Sequence, residues 1–304
     1  MSKLLTPLSI NNILIAGANG FIGTFLYGKL KSKFSLTGLG YSQESNLANY
    51  FPADLTDISM LQSFCNTAPQ FDALIFLVGL AHKKGKGKEI DEYRNINKQT
   101  LVNLLTSLKK KNKLPRIIIF ASTISVYGEN MNQNVYEEDS SKNPISPYAI
   151  TKLEAEEYLL EQFKDQSWIL RFAPVYGGGF DLNINRRTRA EGVYYKVGNG
   201  QKQLSLCHLE NIREAVLRIL EGKVPAGVYN ISDTNEYTYN DLLKYINAKW
   251  ALPIPTFILK VLYYIGTIIN SIFLKENATK LISDNIFPSD KIRKYTSLTA
   301  SLNE

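Results

Sequence analysis

Cysteine and histidine are scarce in this chain, two of each in 304 residues. Cys65 and Cys207 stand far apart, with no CxxC pair and no Cys/His cluster near either. That excludes a disulfide framework and a zinc site, and no other metal motif is present. No internal repeat or low-complexity segment is visible. Nucleic-acid-binding motifs are missing too, so the net charge of +7 points to an anionic small molecule and not to nucleic acid. Residues 1–12 lack the apolar core and small-residue cleavage site of a signal peptide, which makes a reducing cytoplasm the expected location.

What remains is an ordinary globular composition, 44% apolar and 21% charged, in a chain long enough for a sizeable core. Strand-like runs at 12–16, 35–39, 72–78, 116–122 and 168–172 alternate with helical patterns at 20–31, 57–68, 89–111 and 147–163. Such alternation predicts an α/β fold, a Rossmann-type doubly wound parallel sheet covered on both faces. After Tyr176 the alternation breaks. The expected organisation is a dinucleotide-binding domain over 1–175 and a smaller C-terminal substrate-binding region over 176–304, partly intercalated with the first.

Gly17-Ala18-Asn19-Gly20-Phe21-Ile22-Gly23 follows the apolar run Ile13-Leu14-Ile15-Ala16 and opens a helical pattern. A glycine turn between strand and helix lets backbone approach a pyrophosphate, at a helix end that is positive. Farther on, Pro147-Tyr148-Ala149-Ile150-Thr151-Lys152 places Tyr148 and Lys152 one turn apart on a helix face. An ammonium there favours phenolate and suits tyrosine to acid/base work. Upstream, Ser122-Thr123-Ile124-Ser125-Val126-Tyr127-Gly128 ends a buried strand in hydroxyls able to hold a reacting oxygen.

Taken in order, GANGFIG, Asp54-Leu55-Thr56-Asp57, Asn97, STISVYG, SPYAITK and Arg171-Phe172-Ala173-Pro174-Val175-Tyr176-Gly177 resemble the extended short-chain dehydrogenase/reductase superfamily, in its sugar-nucleotide epimerase/dehydratase branch. The resemblance covers about residues 11–250. It implies Tyr148 as acid/base, Lys152 as its partner and ribose ligand, and Thr123 at the catalytic Ser/Thr position. A nicotinamide cofactor would lie against Gly17, Asn19, Gly20, Phe21, Ile22, Gly23, Ser42, Asp54, Leu55, Leu77, Val78, Gly79, Asn97 and Ser122. A nucleotide-diphosphate sugar is the implied substrate, with Thr123, Tyr148, His82, Arg186, Arg187 and Arg189 as candidate contacts, since arginine forks match phosphate oxygens. A homodimer is the family expectation.

Two departures discriminate among activities. Dehydratases of the branch carry an acid pair where this chain has Ile124 and Ser125, which cannot shuttle the protons that expel water. At Gly38-Leu39-Gly40-Tyr41-Ser42 the acidic residue that usually accepts the ribose 2′-OH of NAD is missing, so the cofactor is NAD or NADP with a slight tilt to NADP. A 4-epimerase is the first expectation, for surface-polysaccharide sugars. A 4-keto-sugar reductase and a non-catalytic NAD(P)-binding protein are the alternatives. The apolar stretch Pro253–Leu274, broken by Lys260 and several polar residues, reads first as packing within the second region. Peripheral contact with a membrane or a partner is the second reading and a true span the third.

Overall fold

Asn-Ile-Leu-Ile-Ala is too short for a helix and almost wholly apolar, and it forms β1 (Asn12–Ala16) with its last four residues sealed from solvent. In the computed structural model, which describes residues 10–81, 90–128, 133–282 and 284–302, β1 lies inside a seven-stranded sheet. The chain continues through α1 (Phe21–Leu30), β2 (Ser35–Gly40), β3 (Tyr50–Pro52), α2 (Ile58–Thr67) and β4 (Ala73–Phe76). Next come α3 (Ile90–Arg94), a π-helical turn (Asn95–Gln99), α4 (Thr100–Lys110), β5 (Ile117–Thr123), a 3-10 turn (Ile124–Tyr127), α5 (Pro147–Gln162) and β6 (Ser167–Phe172). Shorter elements follow: β7 (Val175–Tyr176), α6 (Leu182–Thr188), β8 (Arg189–Ala190), β9 (Val193–Val197), β10 (Gln203–Leu204) and β11 (Cys207–His208). Then come α7 (Leu209–Leu220), β12 (Gly227–Ile231), β13 (Tyr237–Thr238), α8 (Tyr239–Tyr245), β14 (Leu252–Ile254), α9 (Thr256–Ile268) and α10 (Ile272–Ile282).

The sheet runs β12-β6-β5-β4-β1-β2-β3, with parallel pairing at β3·β2, β2·β1, β1·β4 and β4·β5. The chain therefore winds one way from β1 to β3 and the other way from β4 to β6. A crevice opens at the reversal, beyond the carboxyl ends of β1 and β4. The alternation in the sequence anticipated this sheet. It did not anticipate β3, and the 72–78 strand ran past the observed end of β4 at Phe76, with Leu77 N still donating to Ala16 O at 2.9 Å.

Two compact units emerge. The first holds the described residues up to Ser122 with Pro147–Leu170 and Val216–Val228; the second holds Thr123–Ser146, Arg171–Ala215 and Tyr229 onward. The first is built on aliphatic and phenylalanine packing, including Leu14, Phe76, Leu104, Phe120 and Leu159. The second is rich in tyrosine, with Tyr176, Tyr195, Tyr237 and Tyr239 around Ile184, Leu242 and Leu259. Buried tyrosines need partners for their hydroxyls.

The apolar stretch folds differently from its first reading. Asn270, at φ 51°, turns the chain between α9 and α10, and a Cβ at Gly266 would lie 2.8 Å from Leu274 Cβ. The glycine thus lets the two helices cross closely. Yet α9 buries only Leu259 and Gly266; most of its side chains face outward. Interior packing is overturned, because a hairpin this short reaches its unit's core along one narrow seam. Among the described residues, no helix is long and apolar enough to cross a membrane.

Candidate active site

The glycine loop is shaped by close approach. Gly17 has φ +83°, and a Cβ there would meet Val78 N at 3.0 Å. At Gly23 a Cβ would fall 2.2 Å from Gly17 O, so only glycine lets α1 start this close to β1. Gly20 stands at the N-cap with no side-chain cap bond, and the first turn, beginning with Phe21 and Ile22, carries no acidic residue. A helix start of that kind suits an anion. Asn19 is occupied elsewhere: its amide donates to Glu44 O at 3.2 Å and its oxygen accepts from Ser45 Oγ at 2.9 Å, which ties the turn to the loop after β2.

Lys152 lies beside the exit of β4. Its ammonium donates to Val78 O at 3.3 Å and sits 4.3 Å from the centre of the Phe120 ring. A Cβ added to Gly79 would be 3.4 Å from Lys152 Nζ and 3.6 Å from Asn97 Oδ1, so Gly79 keeps that space open. Burial pushes the Lys152 ammonium down to about 7, against an opposing pull from the Glu156 carboxylate. Tyr148, half-buried, precedes it by one turn in the first turn of α5.

Asn97 explains the π-helical turn. Its amide donates to Thr151 Oγ1 at 2.9 Å, and its oxygen accepts from Leu80 N at 2.6 Å. One fully buried side chain thereby joins the loop after Gly79 to α5, and the widened turn carries it there. A fork from Arg94 to Glu154, at 2.8 and 2.9 Å, fastens α5 on a second side. The Ser122 hydroxyl donates to Glu156, a buried carboxylate absent from the expected site. Spacing held the signal: Tyr148, Lys152 and Glu156 repeat at four residues, one stripe of one helix. Thr123 Oγ1 accepts from Ser125 N at 3.2 Å and caps the 3-10 turn that holds Ile124 and Ser125.

After β2, Tyr41, Ser42, Gln43, Asp54, Asp57 and Met60 line an open cleft of about 580 Å³. Among these described lining residues two are carboxylates and none is a cation. Asp54 accepts from Thr56 N and Oγ1 at 2.8 and 2.7 Å, Ser42 Oγ donates to Glu44 O, and Leu55 is buried behind them with its carbonyl accepting from Asn103. A Cβ at Gly40 would be 3.0 Å from the Tyr50 hydroxyl, and one at Gly38 would be 3.0 Å from Ala18 Cβ. Among the described residues that line this cleft, the tilt to NADP finds no basic side chain to meet a 2′-phosphate.

In the second unit the three candidate arginines separate. Arg186 and Arg189 are exposed, and Arg189 lies over the Tyr194 ring at 5.4 Å. Arg187 lines a cleft with Ser125, Gly128, Ser205, Lys280 and Asn285, and burial lowers its pKa. Deeper, Asp233 accepts from Tyr176 at 2.6 Å, Tyr237 at 3.0 Å, and from His208 N and Asn211 Nδ2 at 2.7 Å each. Burial pushes the Asp233 carboxyl up against these bonds. Residues from three separated segments meet there, Tyr176, His208 with Asn211, and Asp233 with Tyr237, so the cluster as a whole is not a local motif. Arg171 and Tyr127, prominent in the motifs, bond each other at 2.9 Å and brace the unit. His82 lies outside the described residues.

A 3-2-1-4-5-6 sheet, a glycine loop at its reversal and a Tyr-Lys helix facing the loop after β4 define a dinucleotide-binding α/β protein of the short-chain dehydrogenase/reductase type. The chain belongs to the NAD dependent epimerase/dehydratase family, whose model matches residues 13–232. Among curated relatives it is 26% identical over 257 residues to N-acetyl-alpha-D-glucosaminyl-diphospho-ditrans,octacis-undecaprenol 4-epimerase of Escherichia coli O157:H7, covering 81% of this chain and 74% of that protein. It is also 26% identical to UDP-glucuronate 4-epimerase 2 of Arabidopsis thaliana, of whose length it spans 62% (76% of this chain). In fold it is similar to UDP-glucuronic acid 4-epimerase from Bacillus cereus in complex with NAD, with a TM-score of 0.71 at 20% identity, covering 96% of this chain and 92% of that one.

Proposed function

We propose that the chain is an NAD-dependent 4-epimerase of a sugar carried on a nucleotide diphosphate, serving surface-polysaccharide synthesis. The observation that carries this reading is the Lys152 ammonium, buried against Val78 and Gly79 one turn from Tyr148. The residues present fit a dinucleotide: glycines whose Cβ would fill the cradle, an uncapped helix start, and a cation beneath it. Gly17, Gly20 and Gly23 would take its pyrophosphate, and Lys152 its nicotinamide ribose. NAD is favoured over NADP by the two carboxylates lining the cleft after β2, which repel a 2′-phosphate. When bound, the nicotinamide supplies the hydride acceptor and donor.

The rest is work for the chain's own groups. Tyr148, as phenolate, takes the proton of the sugar hydroxyl as that carbon is oxidised and returns it on reduction. Lys152 lowers the cost of the phenolate by its charge. Thr123 holds the reacting oxygen, and Arg187 binds the substrate diphosphate. Ile124 and Ser125 offer no acid or base for expelling water, which disfavours a dehydratase.

The test is the purified protein's cofactor content together with interconversion of UDP-hexoses followed by NMR. Retained NAD and interconversion without added cofactor are expected. Consumption of NADPH on a 4-keto sugar nucleotide would establish the reductase instead. Tyr148→Phe should cut turnover by about 10³-fold while leaving NAD content unchanged; loss of the NAD as well would take acid/base duty away from this tyrosine.

A further inference from the structure

Helix α9 turns hydrocarbon toward solvent along nearly its whole length. Phe257, Val261, Tyr264 and Ile268 are 66, 52, 62 and 84% exposed, and Ile258, Leu262, Ile265 and Ile269 join them. At 100° per residue these side chains sweep an arc of roughly 160°. Leu259 and Gly266 form a narrow seam on the other side, and Thr256, Lys260 and Thr267 mark one edge. Leu259, with Ala278 and Ile282 of α10, belongs to the core of the second unit, so the hairpin is anchored and its outer face is not part of that core. A contiguous apolar face on this scale marks an interaction surface.

We propose that this face seats the protein on an anionic lipid bilayer, lying in the interface without crossing it. Charge is the first reason. From Lys244 to Lys275 the sequence carries four lysines and no acidic residue, a cationic setting for anionic headgroups. Side-chain chemistry is the second: Trp250, 64% exposed just ahead of the hairpin, and Tyr264 are the residue types that sit at headgroup level. Third, no side chain on the exposed arc other than the Tyr264 hydroxyl can make a hydrogen bond, whereas protein interfaces carry about one such bond per 100–200 Å². A fluid hydrocarbon boundary asks for none. The inference stands on α9 and its charges and not on the proposed activity, so epimerisation can hold while membrane binding fails.

The test is co-sedimentation of the full chain with vesicles of phosphatidylglycerol and phosphatidylethanolamine, beside vesicles of phosphatidylcholine alone. The protein should pellet with the anionic vesicles, less with the neutral ones, and less as salt rises. Val261→Ser/Ile265→Ser/Ile268→Ser should lose roughly tenfold or more of that binding, with circular dichroism and thermal midpoint unchanged. A measurement free of substitutions is intrinsic fluorescence. Of the two tryptophans, Trp168 is buried and bonded to Val224 O, so a blue shift on adding vesicles reports Trp250. Wild-type protein left in the supernatant with unshifted emission would overturn the proposal. So would a wild-type dimer that ignores vesicles and that the triple substitution splits, since the face would then belong to a second copy.

Discussion

On α5 the inward face carries Thr151, Lys152 and Glu156, all buried; on α9 the outward face carries phenylalanine, valine, tyrosine and isoleucine, all exposed. The first helix places charge where hydrocarbon is cheaper. The second leaves hydrocarbon where charge is cheaper. Stability alone would select against both arrangements, and such local conflicts concentrate where a chain does something other than fold. The compensation differs. Lys152 has the Phe120 ring, the Val78 carbonyl and the Glu156 charge around it, so its cost is partly met within its own unit. Among the described residues the arc of α9 stays exposed, and that asymmetry points to an outside partner.

The comparison breaks most plainly at Lys152. Lys152→Met keeps the length and apolar stem while removing the charge. Turnover should fall by about 10²–10³-fold, with secondary structure intact. Near-normal turnover would make the buried ammonium an accident of packing and leave α5 with no special standing.

A smaller effect separates the two sides of α9. Leu259→Ser removes the seam residue and should cost about 3 kcal/mol in denaturant unfolding. Ile268→Ser, on the same helix, should move stability by no more than about 0.5 kcal/mol. Equal costs would mean that the outer arc is covered by protein, and the contrast with α5 would lose its second half.

How legible these features were follows from how local they are. The glycine loop, the Tyr148–Lys152 spacing and the strand–helix alternation each sit within one short window, and all lie where the pattern placed them. The direction of α9 was not legible, because a helix apolar around most of its circumference does not say which side is down. Gly266 held the only local hint, as the point where α10 crosses. Three neighbouring arginines could not be ranked before the phase of α6 was known; the helix turns Arg187 inward and Arg186 out. Asp233 was silent because Tyr176 and the His208–Asn211 segment reach it from far along the chain, and Tyr237 four residues on carries no signal by itself.

The pH dependence of stability reads the cost of the buried charge directly. In the folded, cofactor-free protein Lys152 titrates at about 7, whereas the unfolded chain holds that proton up to its ordinary value of 10.5. Below pH 7 both states are protonated and the cost of burying an ammonium is present in full. Between about 7 and 10.5 the unfolded chain binds the extra proton, so folding becomes more favourable as pH rises, by at most about 1.4 kcal/mol per pH unit. Other groups titrate over the same range, and subtracting the Lys152→Met profile from the wild-type profile removes them. The difference should be flat below pH 6.5 and climb from there in favour of wild type. A difference that falls with pH would mean that the ammonium is stabilised where it lies, and α5 would then bury a satisfied ion pair and no strained cation.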